Sequence, residues 1–320
     1  MIDMATLTVA DEDMVAIPGG TFVMGPDSHY PEEAPAHRVR VDSFWIDRTP
    51  VTNRQFEAFV VATGHKTLAE TPPRAEDYPG ADPHMLRAGS LTFRPPAKPV
   101  STANHLAWWD YTFGAFWRAP YGPRSSLQGI WDHPVVHVSY ADALAYAQWA
   151  GKDLPTEAEW EFAARGGLDG AEYAWGSELM PGGRHMANTW QGRFPMENTR
   201  EDGFLRTSPV KTYPPNGYGL YDMIGNTWEW TQDWYVPRHP AEAAKACCIP
   251  LNPLGPAQEA SFDPADAARI PRKVLKGGSH LCAPSYCRRY RPAARHPEPV
   301  DTSTSHVGFR CVRRAAGGET

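Results

Sequence analysis

The chain has 320 residues, 42% hydrophobic and 21% charged, with a formal net charge of −6. This is an ordinary globular composition that can bury a sizeable core. It carries no basic block of nucleic-acid type and no run of about 18 apolar residues, so neither nucleic acid nor a membrane is an expected partner. The 32 prolines double the usual share of about 5%, and with 27 glycines and 12 tryptophans they point to a loop-rich fold tied by aromatic packing.

The N-terminus, MIDMATLTVADEDMVAIPGG, has acids where a signal peptide needs a basic start, so a cytoplasmic location is expected. Residues 1–14 read as a tail, 15–313 as the folded body and 314–320 as a second tail. MVAIPGGTFVMG reads as two short strands around a Pro-Gly-Gly turn, and VRVDSFWIDRTPVT as one half-buried strand. Thr52 and Gln55 form a predicted capping box for a helix that ends at Gly64, with Phe56, Phe59 and Val60 on one face. Residues 66–130 are rich in Pro and Trp and read as a long ordered insertion; AWWDYTFGAFW and HMLRAGSLTF are candidates to line a groove. HPVVHVS reads as a strand, followed by a helix from Ser139 to Gly151. A further helix starts at Thr156, is boxed by Glu159, faces Trp160, Ala163 and Ala164 inward and stops at Gly166. Residues 236–272 look like a surface excursion, and VLKGGSHLCAPSYC and HVGFRCVRR read as strands. No linker or repeat divides the chain, so a single α+β domain is expected.

His133 and His137 stand at i and i+4. On a helix they could grip zinc, but Pro134 and the Val-rich context favour a strand, where they lie about 13 Å apart. Structural, hydrogen-bonding histidines are the preferred reading. Two oxygen-rich stretches offer Asn188, Glu197, Asn198, Glu201 and Asp202, then Asp222, Asn226 and Glu229. They could serve calcium, which takes six to eight oxygens. By spacing alone, turn formation is the better explanation.

Five cysteines give an odd count without small-scaffold spacing, which argues for free thiols, metal or redox chemistry. Cys247 and Cys248 are adjacent, and neighbouring side chains diverge, so a shared metal is not expected; a strained vicinal disulfide or surface thiols are the readings there. Cys311 lies in an apolar strand and is expected in the core. Cys282 and Cys287 are separated by APSY, whose Pro284 should turn the chain and bring the thiols together. Two thiolates cannot complete a zinc site but suit monovalent copper, and nearby arginines would lower the thiol pKa. A redox disulfide or two buried small apolar groups remain the alternatives.

The stretch GGSHLCAPSYCRRYRPAAR resembles the active-site signature of formylglycine-generating enzymes, also called sulfatase-modifying factors. IPGGTFVMG, PVTNRQFEAFV, LPTEAEWEFAARGG, NTWQGRFP, NGYGLYDMIGNTWEWTQDW and GFRCV resemble the same family, from about Val15 to Cys311. The resemblance weakens in 66–130 and 236–272. It implies an irregular fold related to C-type lectins, and a bacterial-type enzyme that oxidises the cysteine of a CxPxR motif in an unfolded sulfatase to Cα-formylglycine. The family uses dioxygen, a reducing thiol and one monovalent copper ion. On that resemblance Cys282 and Cys287 hold the copper, Ser279 stands beside it, and Trp228 lines the oxygen and substrate pocket. The family also binds two structural calcium ions. Asn188, Asp202 and the carbonyls of Thr189 and Phe204 match one site; Asp222, Glu229 and the carbonyls of Gly225 and Thr227 match the other. Many relatives carry asparagine at position 222; aspartate keeps the oxygen and adds charge. A monomer is expected. The rival readings are a non-catalytic lectin-like binding module, which would lack the cysteine pair, and an ergothioneine-type iron sulfoxide synthase, which needs an extra helical domain.

Overall fold

The computed structural model describes residues 13–25, 29–241, 243, 249–266 and 268–314. The chain begins with β1 (Met14–Ile17), β2 (Gly20–Met24), β3 (His37–Val41) and β4 (Phe44–Asp47). The single strand expected over VRVDSFWID is thus two. Val39 and Val41 face the core from β3, Phe44 and Ile46 from β4. The odd step from Val41 to Phe44 breaks the period of two, so one straight strand cannot bury both pairs. β3 pairs with β2, and β4 pairs with β1.

Helix α1 (Asn53–Thr63) has the predicted capping box: Thr52 Oγ1 accepts from Gln55 N, and Gln55 answers the Thr52 amide. Gly64 closes it in the left-handed region. The 66–130 segment is ordered as expected and carries a hairpin of β5 (Gly89–Phe93) and β6 (Trp109–Phe113). Leu91 ties it down, donating to Ser303 O at 3.2 Å and accepting from Ser305 N at 3.0 Å. The run HPVVH is not a ladder strand. It makes one isolated bridge, Pro134 to Thr52, because proline has no amide to donate and His137 turns the backbone at φ +61°. Both histidines are structural: His133 Nδ1 meets Thr207 Oγ1 at 3.0 Å, and His137 meets Ser90 Oγ at 2.7 Å and Pro120 O at 2.8 Å.

Helices α2 (Tyr140–Trp149) and α3 (Glu157–Arg165) carry the Ser139–Asp142 and Thr156–Glu159 boxes. Every residue of α3 is buried, charged ones included. It packs on β2 and β3 and on two strands of the second sheet, β7 (Trp228–Trp234) and β8 (Arg272–Lys276). That sheet is completed by β9 (Arg295–Pro299), antiparallel to β8, and β10 (Val307–Gly308), parallel to β7. The last strand, β11 (Val312–Arg314), joins β4 in a three-stranded sheet with β1. β1 and β11 each reach one residue past the limits expected for the folded body.

Buried charge is paired where α3 meets this sheet. Glu157 takes Arg295 at 2.9 Å, Glu161 takes Lys276 at 2.9 Å and Arg165 at 2.7 Å, and Glu229 on β7 takes Arg310 at 2.7 Å. Such pairs are costly to break from one side. GGSHLCAPSYC, expected as strand, is instead the loop between β8 and β9. Gly277 and Gly278 stop β8 at φ +93° and +71°.

Candidate active site

The loop that leaves β8 doubles back on itself. A side chain at Gly278 would meet Arg289 O at 2.6 Å, so only glycine allows the two arms this close. Cys282 N donates to Ser279 O at 2.9 Å, and Cys287 N to Ala283 O at 2.8 Å. The second bond closes a single helical turn over APSY, which sets Cys287 beside Cys282. Both are buried free thiols with sulfurs 3.3 Å apart. The expected proximity is therefore met.

The two sulfurs differ. The Cys282 thiol donates to Cys287, and Arg289 Nη1 approaches the Cys287 sulfur at 3.7 Å. Together they outweigh burial and push the Cys287 thiol below its ordinary value. Burial and the neighbouring sulfur push Cys282 well up, against the Ser279 amide at 3.5 Å and the charge of Arg289. Arg289 favours both thiolates, but it touches only Cys287, and only there does the balance fall below the ordinary thiol value. The Ser279 hydroxyl accepts from Leu281 N at 3.2 Å and shapes the turn.

Aromatic side chains wall the loop. Tyr286, next to Cys287, stacks on Phe194 with ring centroids 4.5 Å apart and meets Trp108 edge-on at 5.6 Å. Trp228 sits on β7 with its ring stacked on His296 at 5.6 Å, and Trp109 lies 4.9 Å from His306. The insertion does line a recess, as expected. A cavity of about 530 Å³ is walled by Leu68, Tyr78, Leu91 and Tyr111 on one side and Pro299 and Asp301 on the other. A second, of about 250 Å³, lies against Pro284 and Ser285 between the cysteines and against Trp190.

The oxygen-rich stretches flank the loop. Trp190 N donates to Cys282 O at 3.0 Å, and His280 N to Asn226 O at 3.0 Å. In the first stretch Asp202 accepts from Thr189 N at 3.3 Å and Phe204 N at 3.0 Å. Gln191 Nε2 bridges Asp202 Oδ2 and the Thr189 carbonyl. A neutral amide donor thus sits between two of the four expected ligand oxygens, so these two converge on one point, an arrangement that a hard cation could also use. In the second stretch Asp222, Gly225 and Asn226 are all left-handed, with φ +53°, +76° and +57°. Burial pushes Asp222 up to about 6, against the Lys211 amide and the charge of Arg310. Glu229 is different: Arg310 grips both of its oxygens, at 2.7 and 2.8 Å, and Trp160 Nε1 donates at 2.7 Å. The second set therefore fits calcium through Asp222 and the carbonyls more than through Glu229. Among the described residues, no group of three or more His, Cys, Asp or Glu side chains is placed to hold a metal.

Sequence reasoning missed Arg289 and its partners. Glu32 and Tyr30, which hold it, come from the far end of the chain, and nothing in the local pattern marks them. Cys311 is in the core as expected. Cys247 and Cys248 lie outside the described residues.

The sequence pattern of a family described as "Sulfatase-modifying factor enzyme 1-like domain" matches residues 3–315. A formylglycine-generating enzyme of Mycobacterium tuberculosis is 52% identical over 307 residues, covering 96% of this chain and 99% of that one. Another from Streptomyces coelicolor is 49% identical, covering 94% and 89%. Among solved structures, PvdO from Pseudomonas aeruginosa superposes with a TM-score of 0.60 at 26% identity, covering 94% of each chain.

Proposed function

The chain belongs to the sulfatase-modifying factor enzyme family, and on that premise we propose that it is a formylglycine-generating oxidoreductase. It converts the cysteine of a CxPxR motif in an unfolded sulfatase to Cα-formylglycine, with dioxygen as oxidant and a thiol as reductant. The observation that carries this reading is the pair Cys282 and Cys287: two buried, free sulfurs 3.3 Å apart, one of them faced by a guanidinium.

Two soft sulfur donors fit one monovalent copper ion, which Cys282 and Cys287 would hold. When bound there, copper supplies the redox chemistry with dioxygen. The chain's own residues do the rest. Cys282 gives up the proton that it presents to Cys287 when the site is loaded. Ser279 fixes the turn that aims Cys282. Trp228 and the Trp108–Tyr286–Phe194 cluster exclude water and give an extended substrate segment an apolar wall. A folded sulfatase would hide its motif from such a recess, which is why the substrate is unfolded.

Two structural calcium ions complete the assignment. The first takes Asn188, Asp202 and the carbonyls of Thr189 and Phe204; the second takes Asp222, the carbonyls of Gly225 and Thr227, and the second lone pair of Glu229 Oε1, whose first accepts from Arg310. The enzyme acts as a cytoplasmic monomer. No helix of the described residues is long and apolar enough to cross a membrane.

The test is a mass-spectrometric assay of a peptide containing CTPSR with reduced protein, monovalent copper and dioxygen. The expected result is the mass loss of a thiol becoming an aldehyde. It should vanish without copper and in both Cys282→Ala and Cys287→Ala. A folded, copper-loaded protein that leaves the peptide unchanged would favour the lectin-like binding module instead.

A further inference from the structure

Three arginines follow Cys287, and each meets a different acid. Arg288 pairs with Glu172 at 2.8 Å, Arg289 with Glu32, and Arg291 with Glu33 at 2.9 Å. Among the described residues, Arg289 is the cation whose donor reaches a sulfur, with Nη1 3.7 Å from Cys287 Sγ. Its opposite edge is anchored: Nε donates to Glu32 Oε1 at 3.2 Å, across 257 residues of sequence. The Tyr30 ring covers its face, with the guanidinium carbon 4.0 Å from the centroid, and the Tyr30 hydroxyl accepts from Arg288 N at 3.0 Å. Glu32 and Tyr30 thus hold the fork so that its free N–H groups face sulfur.

Charge counting gives this geometry a purpose. Two thiolates that hold a monovalent ion would carry one net negative charge, and a substrate thiolate brought into the same pocket would raise it to two. In a buried site each added anion is expensive unless a fixed positive group faces it. We propose that Arg289 is a positioning residue that offsets the negative charge the sulfur site gains on loading and again on substrate entry, and that Glu32 and Tyr30 aim it. This rests on the copper reading above. Arg289 does not touch substrate or metal. It acts through the Cys287 sulfur, as a preorganised donor that does not rearrange when charge arrives.

The test is a competition titration of monovalent copper against a chromophoric chelator, on the full chain and without oxygen. Arg289→Gln is expected to weaken copper binding about tenfold or more, the worth of one hydrogen bond to a charged group. Arg289→Lys, which keeps the charge, should recover most of the loss. Arg288→Gln is the control, since it breaks a neighbouring ion pair that does not face sulfur; it should bind as the wild type does. Should Arg289→Gln fail to fold with Glu32 left unpaired, the double variant Arg289→Gln/Glu32→Gln removes both charges together and must still lose affinity. The KM for the CTPSR peptide should rise more than kcat falls, because the third thiolate enters last. Wild-type affinity in the Gln variants, or an equal loss in Arg288→Gln, overturns the role of Arg289 and leaves the copper reading standing. A wild-type chain that binds no monovalent copper takes both readings down.

Discussion

The cysteine loop and the oxygen-rich stretches touch through backbone hydrogen bonds, yet they hold charge in opposite ways. Glu229 is saturated from inside the protein by Arg310 and Trp160. Asp202 is wrapped by the amides of Thr189 and Phe204 and by Gln191. The sulfurs of Cys282 and Cys287 have one another, one backbone amide and one guanidinium edge. Glu229 is therefore part of the frame, held by charge from within the fold, and Asp202 is held by backbone amides with one side-chain donor, Gln191, at the point where a cation would sit. The sulfurs are under-partnered and soft, which is the condition for taking a ligand and giving it up. Asp222 falls between the two: it is buried, and its carboxylate accepts only from the Lys211 amide at 2.9 Å and Asn226 Nδ2 at 3.4 Å among the described residues.

The largest expected effect breaks the frame side of this contrast. Arg310 also donates to the carbonyls of Asp47, Tyr221 and Asp222, so it joins two further segments to Glu229. Arg310→Met leaves a buried carboxylate unpaired and should destabilise the fold by about 3–5 kcal/mol. Urea unfolding measures this, and adding Glu229→Gln to the same chain should return part of the loss. A small effect would mean that Glu229 is neutralised by something other than Arg310, and the contrast would fail.

Next in size is a pH effect on the same frame. Burial works against ionisation of Glu161, but Lys276, Arg165 and the Gly25 amide outweigh it and hold the carboxyl down to about 2. Its unfolded value is 4.5, so the folded pKa is the lower one. The stability it adds is complete above about 4.5 and is lost as pH falls toward 2, on the order of 3 kcal/mol. Urea midpoints taken between pH 5 and pH 2.5 should drop steeply in the wild type and more gently in Glu161→Gln. Equal slopes would detach Glu161 from the acid sensitivity of the fold.

Much of this arrangement was legible in the sequence, and the limit has a physical form. The boxes at Thr52–Gln55, Ser139–Asp142 and Thr156–Glu159 are local chemistry within four residues, and each helix starts where the pattern says. The Cys282–Cys287 approach was legible for the same reason, because one proline-containing turn decides it. The strand boundaries were less so. The break at Asp42–Ser43 depends on which of two sheets receives each half, and HPVVH looks extended whether or not a partner strand exists. The electrostatics of the site were not legible. Arg289 stands in a run of three arginines, and only the fold shows that it is the one turned toward sulfur by residues from the other end of the chain.

The smallest effect sharpens the intermediate case. Burial raises Asp222 to about 6 from its ordinary 3.8, against help from the Lys211 amide and Arg310. The folded pKa is the higher one, so without calcium this group removes stability as pH rises through the window from 3.8 to 6, on the order of 2–3 kcal/mol. Asp222→Asn removes the ionisation. In chelator it should be more stable than the wild type at pH 7, and the difference should shrink by pH 4. Calcium should reverse the order, since the cation restores to the wild type what burial takes and gives the neutral amide less. Thermal melts of both chains at pH 4 and pH 7, in calcium and in chelator, separate these terms. A wild type that calcium does not stabilise more than Asp222→Asn would place Asp222 with Glu229, as frame, and leave the cysteine pair as the one place of the three built to exchange a ligand.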